Sequence, residues 1–145
     1  MIALPQHTIY FSHPINVYNT PLEDKLLRII ADTFPGWKII NPNKPEHQRG
    51  YERYGHQYGN GMKYYYTEVL PFCDKNISLP FRDGRLGAGV FGEARFIAFQ
   101  HHSTWTWLIL PTGEIEIVRF KEIKALSIPA TRERIRDERG NILPY

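Results

Sequence analysis

The segment from His7 to Phe11 is short and apolar, made of β-branched and aromatic side chains, and Ser12-His13-Pro14 breaks it. This is the pattern of a buried strand that stops at a working edge. Thr20-Pro21-Leu22-Glu23 then supplies an N-cap, a proline at the first helical position and a capping-box glutamate, and Leu22, Leu26, Ile29 and Ile30 share one face. A helix over about Pro21 to Thr33 follows. Trp37 to Ile40 reads as a second buried strand, stopped by Asn41-Pro42-Asn43, which completes a strand–helix–strand unit. From Lys44 to Gly61 the chain is polar, rich in Tyr, His and Gly, and without clean periodicity, so it reads as a long functional loop.

Met62 to Cys73 has helical character disturbed by Pro71, and Asn76 to Phe81 is a third strand leading into the glycine-rich stretch Arg82 to Gly89. Val90 to His101 is a second crossover helix and Trp105 to Leu110 a fourth strand. Pro111-Thr112-Gly113 turns the chain into Glu114 to Val118, whose alternation marks an exposed edge strand. A short basic helix over about Pro129 to Arg139 ends at Gly140. Strands alternating with helices predict a three-layer α/β fold of flavodoxin or Rossmann type: a mostly parallel sheet with a C-terminal edge strand and a short basic helix. Such sheets bind ligands at the carboxyl ends of their strands, so Ser12-His13, Asn41-Pro42-Asn43 and the glycine-rich loop should meet.

Composition narrows this picture. The 145 residues suit a single domain. A lone cysteine, Cys73, excludes an intrachain disulfide and a cysteine-built metal cluster; it reads as a small core residue in a reducing, cytoplasmic compartment. No apolar run approaches the roughly 20 residues of a membrane span, and Met1 to His7 lacks the basic-then-apolar pattern of a secretion signal. The net charge of +3 lies between Arg119 and Arg139, which hold seven Lys/Arg against four Asp/Glu. The mixed signs from Arg132 to Arg139 describe a solvated helix face, leaving nucleic acid the less favoured partner.

The glycine-rich loop opens directly into a helix, so unpaired amides and the positive end of the helix dipole face the predicted crevice, with Arg82 and Arg85 beside them. Its spacing is neither GxGxxG nor a P-loop. Glu93, four residues after Gly89, falls in the first turn of that helix, where the dipole favours an ionised carboxylate, and an ionised carboxylate is a nucleophile. Ser12, His13 and Asn41 are positioned to contact sugar or phosphate. The tyrosines of the 44–61 segment, Tyr58 among them, could cover a ligand or stack a base. The six histidines are scattered or adjacent, and no metal or cofactor is expected.

Thr8-Ile9-Tyr10-Phe11, Cys73-Asp74-Lys75-Asn76-Ile77 and Gly89-Val90-Phe91-Gly92-Glu93-Ala94 together resemble the nucleoside 2-deoxyribosyltransferase family and its relatives that hydrolyse deoxynucleoside monophosphates. The resemblance covers roughly Thr8 to Leu110 and implies Glu93 as nucleophile with Tyr10 orienting it. Gly87 stands where many members carry an aspartate, so Asp83 or Asp74 would supply the acid that protonates the leaving base. Two carboxyls about 5–5.5 Å apart would mark the retaining, covalent route. The implied substrate is a nucleoside or nucleotide, cleaved or transferred at its N-glycosidic bond. The alternative is a nucleotide- or RNA-binding module that keeps the crevice without catalysis. The resemblance further implies a homo-oligomer whose sites a neighbour completes, with Leu143-Pro144-Tyr145 as the reaching segment and the Glu114 to Val118 edge as a pairing surface.

Overall fold

A computed structural model describes residues 6–145; of the Met1 to His7 start, residues 1–5 lie outside the described residues. Five strands form one sheet in the order β2-β1-β3-β4-β5. They are β1 (Thr8–Ser12), β2 (Lys38–Ile40), β3 (Lys75–Ser78), β4 (Trp105–Ile109) and β5 (Ile115–Arg119). The first four run parallel, and β5 pairs antiparallel with β4 at the outer edge. The mostly parallel α/β sheet with helices on both faces is thus the predicted class. No helix among the described residues is long and apolar enough to cross a membrane.

Side-chain alternation along β1 sorts the two faces. Ile9 and Phe11 are fully buried with Leu26 and Ile30 of α1 (Pro21–Thr33), alongside Ile77, Leu79 and Ile109. Tyr10 points to the other face, among Tyr64, Tyr65, Leu70, Cys73 and Ile97. That second layer is α4 (Ala88–Gln100) together with the segment 62–72. The segment begins as α3 (Met62–Tyr64) and continues through a π turn (Tyr65–Val69) and a 3-10 turn (Leu70–Phe72), so Pro71 ends a sequence of turn types rather than one regular helix. At the amino end of β3, the Lys75 ammonium lies 4.6 Å from the ring centre of Trp107, 5.5 Å from Trp37 and 5.7 Å from Phe34. Burial lowers its pKa, and the aromatic faces replace part of its lost hydration.

Three expectations need correction. The expected 44–61 loop is mostly a helix, α2 (Pro45–Tyr58), closed by Gly59 at φ 70°. Its inward stripe is His47, Gly50 and partly buried Tyr54, helical in spacing but without aliphatic residues. The third strand stops at Ser78, because Pro80 cannot donate to a ladder. The basic helix, α5 (Ile128–Ile135), ends before Arg136, which turns extended and pairs with Ile142 in an antiparallel bridge.

Gly50 is where α2 meets the rest of the second layer: a Cβ there would lie 2.2 to 2.5 Å from Tyr64 ring atoms. Tyr64 is held by a 2.9 Å hydrogen bond with His47 and by edge contact with Tyr65, so it has no free direction to move. Gly50→Ala is expected to cost about 1–3 kcal/mol. Gly55→Ala, on the exposed side of the same helix with nothing within 4 Å, should stabilise by up to about 1 kcal/mol. Urea unfolding of both variants checks the pair, and equal effects would mean that α2 does not dock through Gly50.

Candidate active site

The second layer places one acid against the middle of the sheet. Gly87 caps α4 in an extended conformation, and Glu93 follows on its inward face. The Tyr10 hydroxyl donates to Glu93 Oε2 at 2.5 Å, both groups being buried. Oε1 takes no hydrogen bond from the described residues, although it is not among the sealed, partnerless polar atoms; it opens to the cavity that Glu93 lines. Burial lifts the Glu93 pKa to about 7, against the lowering effect of the Tyr10 hydrogen bond. The expectation of a dipole-stabilised, fully ionised carboxylate in the first turn is therefore corrected on both counts: α4 begins at Ala88, so Glu93 lies beyond its first turn, and loss of water raises the pKa. Tyr10 itself is pushed well above 10 by burial and by the neighbouring acid, so it remains a neutral donor.

The cavity has a volume of about 440 Å³, ample for a small ligand. Its walls are largely aromatic and apolar: Tyr18, Tyr51, Met62, Tyr65, Phe81 and Val90 surround the Glu93–Tyr10 pair. Burial holds Tyr18 well above its ordinary value of 10 and pushes Tyr65 well up too, which leaves both phenols neutral. The Tyr65 hydroxyl donates to the Pro42 carbonyl at 3.2 Å. The Tyr18 hydroxyl has no partner among the described residues.

A charged network fixes the rim. His13 Nδ1 lies 2.9 Å from the Phe11 carbonyl and Nε2 2.7 Å from Glu23 Oε2. Burial alone would raise the Glu23 pKa, but hydrogen bonds from His13 and Asn43 outweigh it and the net shift is downward. Glu23 is thus an anion, and the two ring nitrogens of His13 face the Phe11 carbonyl and the Glu23 carboxylate. Glu23 also accepts from Asn43 Nδ2 and from the Asn19 amide. One carboxylate of α1 therefore ties together the loops after β1 and β2.

Gly87, Gly89 and His13 do line the cavity, as expected. Ser12 does not: it closes a buried ring in which Asn76 donates to Ser12, Ser78 donates to Asn76, and the two serines bond at 2.8 Å. Asn41 accepts from the Asn43 amide in a tight turn, leaving Asn43 at the cavity. Asp83 is exposed and bidentate to Arg134 at 2.8 and 2.7 Å, which drives its pKa down to about 2, the opposite of what an acid catalyst needs. Asp74 sits at the opposite end of β3, accepting from the Thr8 amide and hydroxyl. Neither carboxyl joins Glu93. Arg85 lies 3.7 Å from Asp83, and Arg82 stacks on Tyr145 at 4.5 Å while donating to its carbonyl. Tyr58 is half exposed under the Lys63 ammonium, and Tyr51 and Tyr65 stand at the cavity instead.

The sequence reading missed the C-terminal wall. Thr131, Ile135 and Arg136 line the cavity from the same chain. Thr131 occupies the space a side chain at Gly87 would need, 3.2 Å from its Cβ position. The terminal segment also packs on its own chain, with the Tyr145 hydroxyl donating to the Pro80 carbonyl at 2.5 Å. Comparison of the chain with protein-family models, curated proteins and solved structures finds no match.

Because folded Glu93 holds its proton up to about pH 7, against an ordinary value of 4.5, its contribution to stability is full below the unfolded value and is lost as pH rises through 7. Glu93→Gln, which cannot titrate, should gain on the wild type between about pH 5 and pH 8, by at most about 3 kcal/mol. Urea midpoints measured across that range test this; a difference independent of pH would contradict a buried carboxyl.

Proposed function

We propose that the chain cleaves or transfers the N-glycosidic bond of a nucleoside or nucleotide, with Glu93 as nucleophile and Tyr10 orienting it, as the resemblance to the nucleoside 2-deoxyribosyltransferase family implies. The observation that carries this reading is the buried Glu93–Tyr10 pair, with one carboxylate oxygen open to an aromatic-walled cavity. Tyr18, Tyr51 and Tyr65 provide faces for a nucleobase. Ionised Glu93 attacks the anomeric carbon as the N-glycosidic bond breaks and its electron pair leaves with the base. The base then takes a proton. No second carboxylate lines the cavity among the described residues, and a Tyr18 phenol raised by burial donates a hydrogen bond without ionising, so the proton comes from water. Water or a second nucleobase then releases the sugar from Glu93.

The missing second acid favours one alternative, a nucleotide-binding module that holds its ligand without turnover. Base release measured by chromatography over nucleosides and their monophosphates separates the two. Wild-type release that falls at least about a thousandfold in Glu93→Gln supports catalysis; release unchanged in that variant removes Glu93 from the reaction, and binding without release selects the module.

Glu93 must be ionised to attack, so kcat/KM should rise with pH to a plateau above about 7. Tyr10→Phe removes a hydrogen bond that lowers the Glu93 pKa. The rising limb should then move upward by about one to two pH units, the equivalent of a hydrogen bond to a charged group. A limb that stays in place would separate Tyr10 from the reacting carboxylate.

The assembly we propose is a homodimer through β5, whose outer edge is unpaired among the described residues and carries Ile117 half exposed. Light scattering at micromolar concentration should exceed the 17.0 kDa of one chain. A mass equal to one chain refutes the dimer.

A further inference from the structure

Beyond α5 the chain forms a small arm, and three separate tethers hold it. Arg136 pairs with Ile142 in an antiparallel bridge, and the Asp137 carboxylate closes the turn between them by accepting from the Arg139 and Asn141 amides. Buried Asn16, in the turn after β1, donates from a single Nδ2 to the carbonyls of Arg134 and Leu143, each at 2.9 Å. Asn16 Oδ1 is left sealed and unpartnered, so this clamp is kept at a cost. Asp83 adds the bidentate contact to Arg134.

What the arm brings to the cavity is Arg136. It is the only Lys or Arg among the cavity-lining residues, and no carboxylate of the described residues pairs with it. Two donors stand on the neighbouring wall. The Ala88 amide is taken by Thr131 Oγ1 and the Phe91 amide by the Gly87 carbonyl, whereas the Gly89 and Val90 amides, both at the cavity, find no acceptor in the described residues. The open oxygen of Glu93, itself more than nine-tenths buried, independently marks this space as a ligand site. Glu93 follows Gly89 by four residues, about 6 Å along the helix. A sugar whose anomeric carbon sits at Glu93 therefore carries its far end toward Gly89 and Arg136.

We propose that Arg136 is a specificity-determining residue that takes the 5′-phosphate of a nucleoside monophosphate and so selects phosphorylated over neutral ligands. This rests on the functional reading above for the placement of the sugar. The guanidinium donates to two phosphate oxygens, and the Gly89 and Val90 amides take the third. Thr131 and Ile135 of α5 close the side of the cavity beneath it, so α5 and the arm together complete the site from within one chain.

Calorimetry with Glu93→Gln, in which turnover is removed, tests this without relying on catalysis; the probes are adenosine, AMP, thymidine, dTMP and inorganic phosphate. A monophosphate should bind at least about tenfold more tightly than its nucleoside, and adding Arg136→Ala should reduce that ratio by about 10- to 100-fold. Arg136→Lys should restore part of it. Arg139→Ala, which removes the same charge from the exposed turn, should leave the ratio intact, and Asn16→Ala, which frees the arm, should lower it. Equal affinity for nucleoside and monophosphate, a ratio untouched by Arg136→Ala, binding of inorganic phosphate as tight as that of the monophosphate, or no binding of any probe would each overturn the proposal. Phosphate-selective binding together with absent base release in the wild type would keep Arg136 in its role and overturn only the catalytic reading.

Discussion

The hydrogen bond from Tyr10 to Glu93 joins the centre of the sheet to the helix that covers it, and the surroundings of the cavity answer to the burial of that one carboxylate. A buried acid that gathers several hydrogen bonds stays ionised and quiet; one with none stays neutral. Glu93 has a single donor, which leaves its pKa at about 7, and its second oxygen is free. A carboxyl balanced in this way requires a wall that excludes water without supplying further donors. Tyr18, Tyr65 and Phe81 form that wall; the Tyr18 phenol stays neutral and the Tyr65 hydroxyl is turned to the Pro42 carbonyl.

The rim is held by charge, in contrast to the aromatic wall. Glu23 gathers His13, Asn43 and the Asn19 amide around one carboxylate, so the loops after β1 and β2 cannot shift independently. The C-terminal arm is fastened on the other side through Asn16 and Asp83. Both fastenings act on residues just outside the sheet, where a parallel α/β layer leaves its crevice.

Strands and crossover helices were legible because Ile9, Phe11, Leu26, Ile30 and Ile77 follow the periods of buried strand and amphipathic helix. Helix α2 was not, because its inward stripe is made of His47, Gly50 and partly buried Tyr54, whose packing depends on Tyr64 lying against Gly50. Glu93 and Tyr10 could be found from the helix start and the first strand. The second acid could not: Asp83 looks free along the chain, but its partner Arg134 is 51 residues away, and Asp74 lies at the wrong end of its strand. Arg136 was hidden among mixed charges for the same reason, since the Asn16 contacts that place its arm span 118 and 127 residues. Contacts of that length carry no local signature.

The separation of aromatic types has an optical consequence. All three tryptophans avoid the cavity: Trp37 and Trp107 flank the Lys75 ammonium, and Trp105 lies under the Arg119 guanidinium at 4.7 Å. Tyrosines alone supply the large rings around Glu93, apart from Phe81. Indole emission from this chain therefore reports the integrity of the sheet's far side and unfolding, while occupancy of the cavity registers in the ultraviolet absorption of phenols. A tryptophan fluorescence screen for ligands would pass over compounds that bind.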